Sequence, residues 1–326
     1  MNCNMESDNL KDSTMANKSN LINNGTEKKL YKVLPGDYEK IKSYFKLRKP
    51  ITCENVITDC YLWKDYYDTR YYFNQYGLVW IYKIKNEIFS SVPLCRNEDL
   101  KLCFEDLRKY FNEVLGIKLK MYLVDEEAKN ILDLPEDKFI VEEERDYFDY
   151  VYNAKELMTL SGKKYHKKKN HLNSFLKEYA NRYRVKKADC SDTEAIKRFL
   201  KKWHSKRDIA DEYNRDDYEL KGIEYILDNC DMIRYYMMVV YVDDEIEAFT
   251  LGTYLKEEKT AYIHVEKANP DIRGLYNFVN QQFLINCFSE AEFVNREDDM
   301  GLEGLRKAKM SYNPVELVKK YTVTEI

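Results

Sequence analysis

With 326 residues, 44% of them hydrophobic and 29 of them tyrosine, the chain carries ample apolar surface for packed cores, which excludes whole-chain disorder and fibrous repeats. A net charge of -4 excludes a uniformly basic nucleic-acid binder, and no apolar run nears the ~18 residues of a membrane span. The eight cysteines form no C-x-x-C pair and none stands at ligand spacing from a histidine, so no metal site is expected. The opening MNCNMESDNLKD has no basic region followed by an apolar one, so the chain is read as cytoplasmic with its cysteines as reduced thiols.

Residues 1–29 hold seven Asn, five Ser or Thr and no aromatic. They cannot bury enough surface to offset ordering entropy and are read as a disordered leader. The remaining 297 residues (326 less 29) amount to about two domains of ~150 residues. From Tyr31 onward the pattern predicts a strand meander over 70–73, 78–84 and 88–92, with turns at 74–77 and 85–87. Leu100, Cys103, Phe104, Leu107, Tyr110, Phe111 and Val114 then recur at helical spacing behind Asn97 as cap. A strand over 118–124 and a helix over 126–132 follow.

The second half runs through the same order. A helix opened by Ser191 with Glu194 as a capping box carries the stripe Ile196, Phe199, Leu200 and Trp203, and another helix is expected over 218–228. A meander follows over 234–242, 246–254 and 260–265, then a helix over 275–288, a strand over 292–295 and a helix over 302–309. The third meander strands start 172 residues apart, at 88 and 260, and the later strands 174 apart, at 118 and 292. Two copies of one α+β unit are therefore expected, 30–153 and 154–326, each a mostly antiparallel mixed sheet flanked by helices, with the second copy carrying the site. Helices, then meander, helix, strand, helix, strand is an order that resembles the acyl-CoA N-acyltransferase (GNAT) fold.

Charge is unevenly spread. Residues 125–149 hold eleven carboxylates against Lys129, Lys138 and Arg145, whereas 162–187 hold ten basic residues against Glu178 alone. In LSGKKYHKKKNHLNSFLKEY, 160–179, Leu172, Phe175, Leu176 and Tyr179 make an apolar stripe while Lys164, Lys167, Lys168 and His171 share a face. A nucleotide or tRNA phosphate would relieve the repulsion among them; the plainer reading is a solvated basic face. Ser161 and Gly162 can open this helix with free amides beside Lys163.

In TAYIHVEKANPDIRGLYNFVNQQF, 260–283, Glu266 and Lys267 fall at a strand end, where a carboxylate serves as a base or simply as half of an ion pair. Where the GNAT pyrophosphate loop would lie, the run Asn269 to Gly274 contains a proline and is followed by bulky residues, which weighs against acetyl-CoA as donor. In EFVNREDDMGLEGLRKAKMSYNP, 292–314, Asn295 to Asp299 put an amide, a cation and three carboxylates directly after a buried strand, with dipole capping accounting for part of them.

Four segments carry a more specific likeness: LSGKKYHKKKNHLNSF, the AFTLG strand at 248–252, HVEKA at 264–268 with GLYNFVNQQF after it, and NREDDMGLEGLRKAKMSY at 295–312. Over roughly 30–326 the chain resembles a bacterial family of unknown function related to the C-terminal domain of phosphatidylglycerol lysyltransferase. The resemblance implies tandem GNAT-like domains, as in the Fem-type peptidoglycan aminoacyltransferases. In the lysyltransferase the related domain moves an aminoacyl group from charged tRNA to a lipid hydroxyl. No transmembrane half is read ahead of the domain in this sequence, which puts phosphatidylglycerol in doubt as the expected acceptor.

The expectation is thus transfer of an acyl or aminoacyl group, from aminoacyl-tRNA or acyl-CoA, to an amine or hydroxyl on a small molecule or peptide. Glu266 is the expected general base, Asn295 with nearby amides the oxyanion stabiliser, and Tyr312 the proton donor to the leaving group. Glu297 and Asp299 are expected to position a cationic acceptor or an α-ammonium. Lys163, Lys164, Lys167, Lys168, Asn170, Arg306 and Lys309 are expected to hold donor phosphate. The alternative is a non-catalytic nucleotide-, RNA- or peptide-binding protein on the same scaffold.

Overall fold

The computed structural model describes residues 28–206 and 215–326. All but the last two residues of the expected leader lie outside them, and of those two Lys28 docks, its ammonium 2.7 Å from Asp106. In the first half β1 (Tyr31–Lys32), α1 (Tyr38–Phe45) and α2 (Ile57–Trp63) precede the meander β2 (Arg70–Phe73), β3 (Gly77–Ile84) and β4 (Glu87–Phe89), and β5 (Leu94–Cys95) returns to pair with β3. The helix α3 (Leu100–Lys109) buries Leu100, Cys103, Phe104 and Leu107, the stripe read from the sequence. It runs on through a π-helical turn and ends at Gly116, whose φ of 67° glycine adopts without strain. Asn97 is not its side-chain cap, because it instead accepts from Arg48 and donates to Glu127. β6 (Lys120–Asp125), α4 (Glu126–Leu132) and β7 (Phe139–Glu143) follow.

Next come β8 (Asp149–Asn153), α5 (Ala154–Thr159), α6 (His166–Glu178), β9 (Tyr183–Lys187), α7 (Thr193–Ser205) and α8 (Arg215–Asp228). They are followed by β10 (Tyr236–Val242), β11 (Glu245–Leu255), β12 (Thr260–Ala268), α9 (Leu275–Cys287), β13 (Phe293–Asn295), α10 (Glu303–Met310), β14 (Glu316–Val318) and β15 (Lys320–Glu325). A seven-stranded sheet has the order β14-β8-β13-β12-β11-β10-β9, antiparallel except for the β12–β13 pair. Residues 149–153, counted with the first half in the sequence, thus lie in the sheet of the second. The register Thr250↔Glu266 and Phe249↔Lys267 keeps both of those residues paired in β12, which ends at Ala268.

Two local expectations change at α7. Asp189 and Asp192 form the reciprocal capping box around a 3-10 turn, in place of Ser191 and Glu194. Cys190, at that turn, is disulfide-bonded to Cys230, which corrects the reading of all cysteines as thiols. The cause is tertiary: α7 packs against α8, with the Thr193 hydroxyl on Leu227 O, and brings residues 40 apart together.

The two halves are not equal copies. In the second, β12 pairs in parallel with β13. At the matching junction of the first, a single bridge joins Ser90 to Met121, because β6 pairs instead with β15. β15 leaves the second half and lies between β6 and β7, antiparallel to both. One hydrophobic cluster also spans the halves, with Tyr61 and Trp80 from the first and Ile223, Phe249 and Val265 from the second. Gly222 permits that contact, since a Cβ there would stand 1.9 Å from Leu62 O on α2.

A group of charges is buried at the same junction. The fully buried Lys320 ammonium lies 2.7 Å from Asp149, 2.6 Å from Glu54 and 3.3 Å from the Cys53 sulfur. Asp149 also accepts from the Cys53 amide at 2.7 Å and from Asn295 at 2.9 Å. Burial alone would favour neutral lysine; Asp149, Cys53 and Glu54 outweigh it and hold the Lys320 pKa well above its usual value. Lys320→Met should therefore strand buried carboxylates and cost about 3–5 kcal/mol in urea denaturation. Lys319→Met, which removes an exposed pair with Glu143, should leave the denaturation midpoint close to that of the parent in the same measurement.

Candidate active site

A cavity of about 1100 Å3 opens between the halves, with Asp59 on α2, Trp80 and Tyr82 on β3, and His264 and Glu266 on β12 among its walls. At one corner α6 brings in Lys168, whose ammonium lies 3.9 Å from the centre of the Tyr312 ring. Asn277, near the start of α9, donates to the Tyr312 oxygen at 2.6 Å. The tyrosine's own hydrogen is then free to be given away, and burial pushes its pKa up to about 12, so the proton is present at neutral pH. Glu266 accepts from Arg296 at 3.1 Å and from Asn280 at 2.9 Å. The Arg296 Nη1 is buried and has no hydrogen-bond partner among the described residues. Burial, with the nearby Arg296 charge, brings Lys168 down to about 8 against the opposing pull of Glu266. One corner thus offers a carboxylate, a hydroxyl proton and two cations.

Along the same wall Glu297 and Asp59 face His264. Glu297 has φ of 59°, a left-handed conformation unusual for a non-glycine, and its amide is pinned by Asn295 Oδ1 at 2.7 Å. Its carboxylate lies 2.7 Å from His264 Nδ1. Burial holds His264 down to about 3, and burial with neighbouring carboxylates raises both Asp59 and Glu297 well above the usual carboxylate range.

Of the residues given site roles from the sequence, Lys168, Glu266, Glu297, Lys309 and Tyr312 line the cavity and the others do not. Asn295 gives both amide hydrogens away, to Ile51 O and Asp149, so it has none left for an oxyanion. Asp299 is fully buried; burial opposes its ionisation, but Arg306, Tyr150 and the Gly301 amide hold its pKa below normal. Arg306 is engaged by Asp299 and Asp146, and Lys309 donates to the carbonyls of Arg296 and Asp298. Lys164 pairs with Glu156, and Asn170 sits against His166. Lys163 and Lys167 are exposed and make no ion pair among the described residues.

The loop from Asn269 to Gly274 closes on itself: the Asp271 amide donates to Asn269 Oδ1 and the Ile272 amide to Asn269 O. Sequence reasoning missed Asp59 and His264 as cavity residues. His264 was within reach, since alternation places 264 and 266 on one face of a strand. Asp59 carries no such signal.

Residues 45–324 match the family described as "Phosphatidylglycerol lysyltransferase, C-terminal". An uncharacterized protein of Mycoplasmoides gallisepticum, MYCGA3080, is 27% identical over 178 residues, 55% of this chain and 56% of that one, so the match spans about half the length of that curated relative. A conserved Bacteroides thetaiotaomicron protein of unknown function superposes with a TM-score of 0.83 at 27% identity, over 92% of this chain and all of that one. The C-terminal domain of a putative lysylphosphatidylglycerol synthetase from Agrobacterium fabrum gives 0.65 at 12% identity, covering 89% and 92%. FemX gives 0.58 at 9% identity, covering 91% and 97%, and shares the fold. Among the described residues no helix is long and apolar enough to cross a membrane. With the match running through nearly the whole of both halves, the chain belongs to the phosphatidylglycerol lysyltransferase C-terminal family and is an acyltransferase-like protein of tandem GNAT-type fold.

Proposed function

We propose that this protein is an aminoacyltransferase that takes an activated aminoacyl ester from tRNA and delivers it to an amine or hydroxyl of a small acceptor held in the cavity. The observation that carries the reading is the corner where Lys168, Glu266, Arg296 and Tyr312 meet. Acyl transfer from an ester needs a base for the acceptor, positive charge for the oxyanion and a proton for the departing ribose oxygen. Glu266 takes the acceptor proton, Lys168 and the unpartnered Arg296 nitrogen face the developing negative charge, and Tyr312 returns a proton to the leaving group. The loop before α9 supports a donor other than coenzyme A, since Pro270 offers no amide and the Asp271 and Ile272 amides are already taken by Asn269.

Three outcomes test this. Glu266→Gln keeps the volume but not the basicity, so turnover with a charged-tRNA panel should fall ~10²-fold or more. It also leaves Arg296 short of its counter-charge, so the melting temperature should drop in parallel; full activity in the remaining folded fraction would remove Glu266 from the mechanism.

The second outcome concerns pH. Lys168 is an ammonium below about pH 8 and a neutral amine above it, so oxyanion stabilisation is present at neutral pH and lost on the alkaline side. The rate should therefore decline as pH rises through about 8, and Lys168→Met should lower the plateau and abolish that limb. A limb unchanged in Lys168→Met would assign it to another group.

Third, the exposed lysines outside the cavity are the ones free to meet tRNA backbone. Replacing Lys163, Lys167 and Lys169 by Gln should weaken tRNA binding and flatten the log-log salt slope by roughly 0.7–0.9 for each phosphate left without its lysine. Unchanged affinity and slope would leave this helix as a solvated face.

A further inference from the structure

The His264 ring is fixed by a hydrogen-bond chain with only one allowed direction. It ends on the carbonyl of Arg234, which can only accept, so the Thr58 hydroxyl donates to it at 3.3 Å. With its hydrogen so used, Thr58 can only accept from the Thr253 hydroxyl, at 3.0 Å. Thr253 in turn can only accept from His264 Nε2, at 3.0 Å. Nε2 therefore carries the ring hydrogen of the neutral imidazole, and Nδ1 presents a bare lone pair toward the cavity wall.

That lone pair meets two more acceptors. Glu297 and Asp59 each bring a carboxylate oxygen, and the three ligand atoms all lie within 4.8 Å of one another. They arrive from α2, β12 and the loop after β13, so two halves of the molecule build one cluster. Among the described residues neither carboxylate is in an ion pair with a lysine or arginine, and the Asp59 side chain has no hydrogen bond. Lys309, whose charge reaches Glu297, gives its hydrogens to the carbonyls of Arg296 and Asp298. The neighbouring group of Cys53, Glu54 and Asp149 differs in this respect, because the Lys320 ammonium already occupies its centre.

A lone pair 2.7 Å from one carboxylate oxygen, with a second carboxylate in the same cluster, calls for either a proton or a cation between them. From this geometry we propose that Asp59, His264 and Glu297 form a binding site for one divalent metal ion, of the Mn2+ or Zn2+ kind, facing the cavity. One imidazole and two carboxylates suit these ions, and ligand atoms 2.0–2.2 Å from a metal stand roughly 3 Å apart, close to the spacing of His264 and Glu297. The Nε2–Thr253–Thr58 chain is the outer support that fixes the ligating tautomer. Two carboxylates offset the charge of the ion, and the remaining positions open to the cavity.

The proposal does not depend on acyl transfer and is tested without any substrate. The full chain, stripped with a chelator and exchanged into metal-free buffer, is titrated with Mn2+ while free Mn2+ is followed by electron paramagnetic resonance; Zn2+ is titrated by calorimetry. One ion per chain is expected, with at least tenfold weaker binding in Asp59→Asn and in Thr253→Val. Asp59→Asn removes a group without a folding partner, so its circular dichroism melt should match the parent, and it keeps the test valid if variants nearer His264 fail to fold. Because free cysteines can also take Zn2+, the Mn2+ titration decides. No saturable Mn2+ binding by the parent chain, or binding that Asp59→Asn leaves unchanged, overturns the site and assigns the positive charge to a proton held between Glu297 and His264.

Discussion

The contact between Lys320 and Asp149, with neither side chain exposed, sets the terms for the rest of the molecule. Moving two charges out of water costs several kcal/mol each, which only close geometry and satisfied hydrogen bonds offset. The start of β15, the start of β8, the turn at Cys53–Asn55 and the end of β13 must therefore arrive together or not at all. Two of these segments lead into the cavity wall. The turn at Cys53–Asn55 runs directly into α2 and so carries Asp59. Asn295, held by Asp149, pins the amide of Glu297. A charge pair that takes no part in chemistry thus places groups that can.

Amphipathic elements were legible because their burial is periodic. The stripe from Leu100 to Leu107 and the meander of β10, β11 and β12 follow from spacing alone. β7, β14 and β15 were not, for a physical reason. β7 is exposed along most of its length, and β15 begins with a lysine that composition assigns to the surface. Their pairing is decided by partners far away in sequence, which local pattern does not contain.

The candidate site divides in the same way. The basic segment was visible as charge, but Lys163–Tyr165 form a 3-10 turn before α6 begins, so the helical phase linking Lys164 to Lys168 does not hold. Only Lys168 reaches the cavity; Lys164 turns to Glu156. Glu266 and Tyr312 were read from the segments that contain them. Asn295, Asp299 and Arg306 stood out for the same polar density, and that density proves to be a hydrogen-bonding frame in which Asn295 and Asp299 are buried and Arg306 is half-buried. Sequence shows that polar groups cluster; which of them face solvent and which face each other is settled by packing.

The place of β15 has a consequence for how the chain is made. β6 and β7 do not pair with each other, and both wait for a strand that is translated only after the whole second half. Until residues 320–325 leave the ribosome, the first half holds two open strand edges beside an incomplete core, including the positions of Tyr321 and Val323. Open edges recruit other strands, and the long loop that must close makes the correct pairing slow. The nascent first half accordingly carries strand edges that the finished chain covers with its last strand.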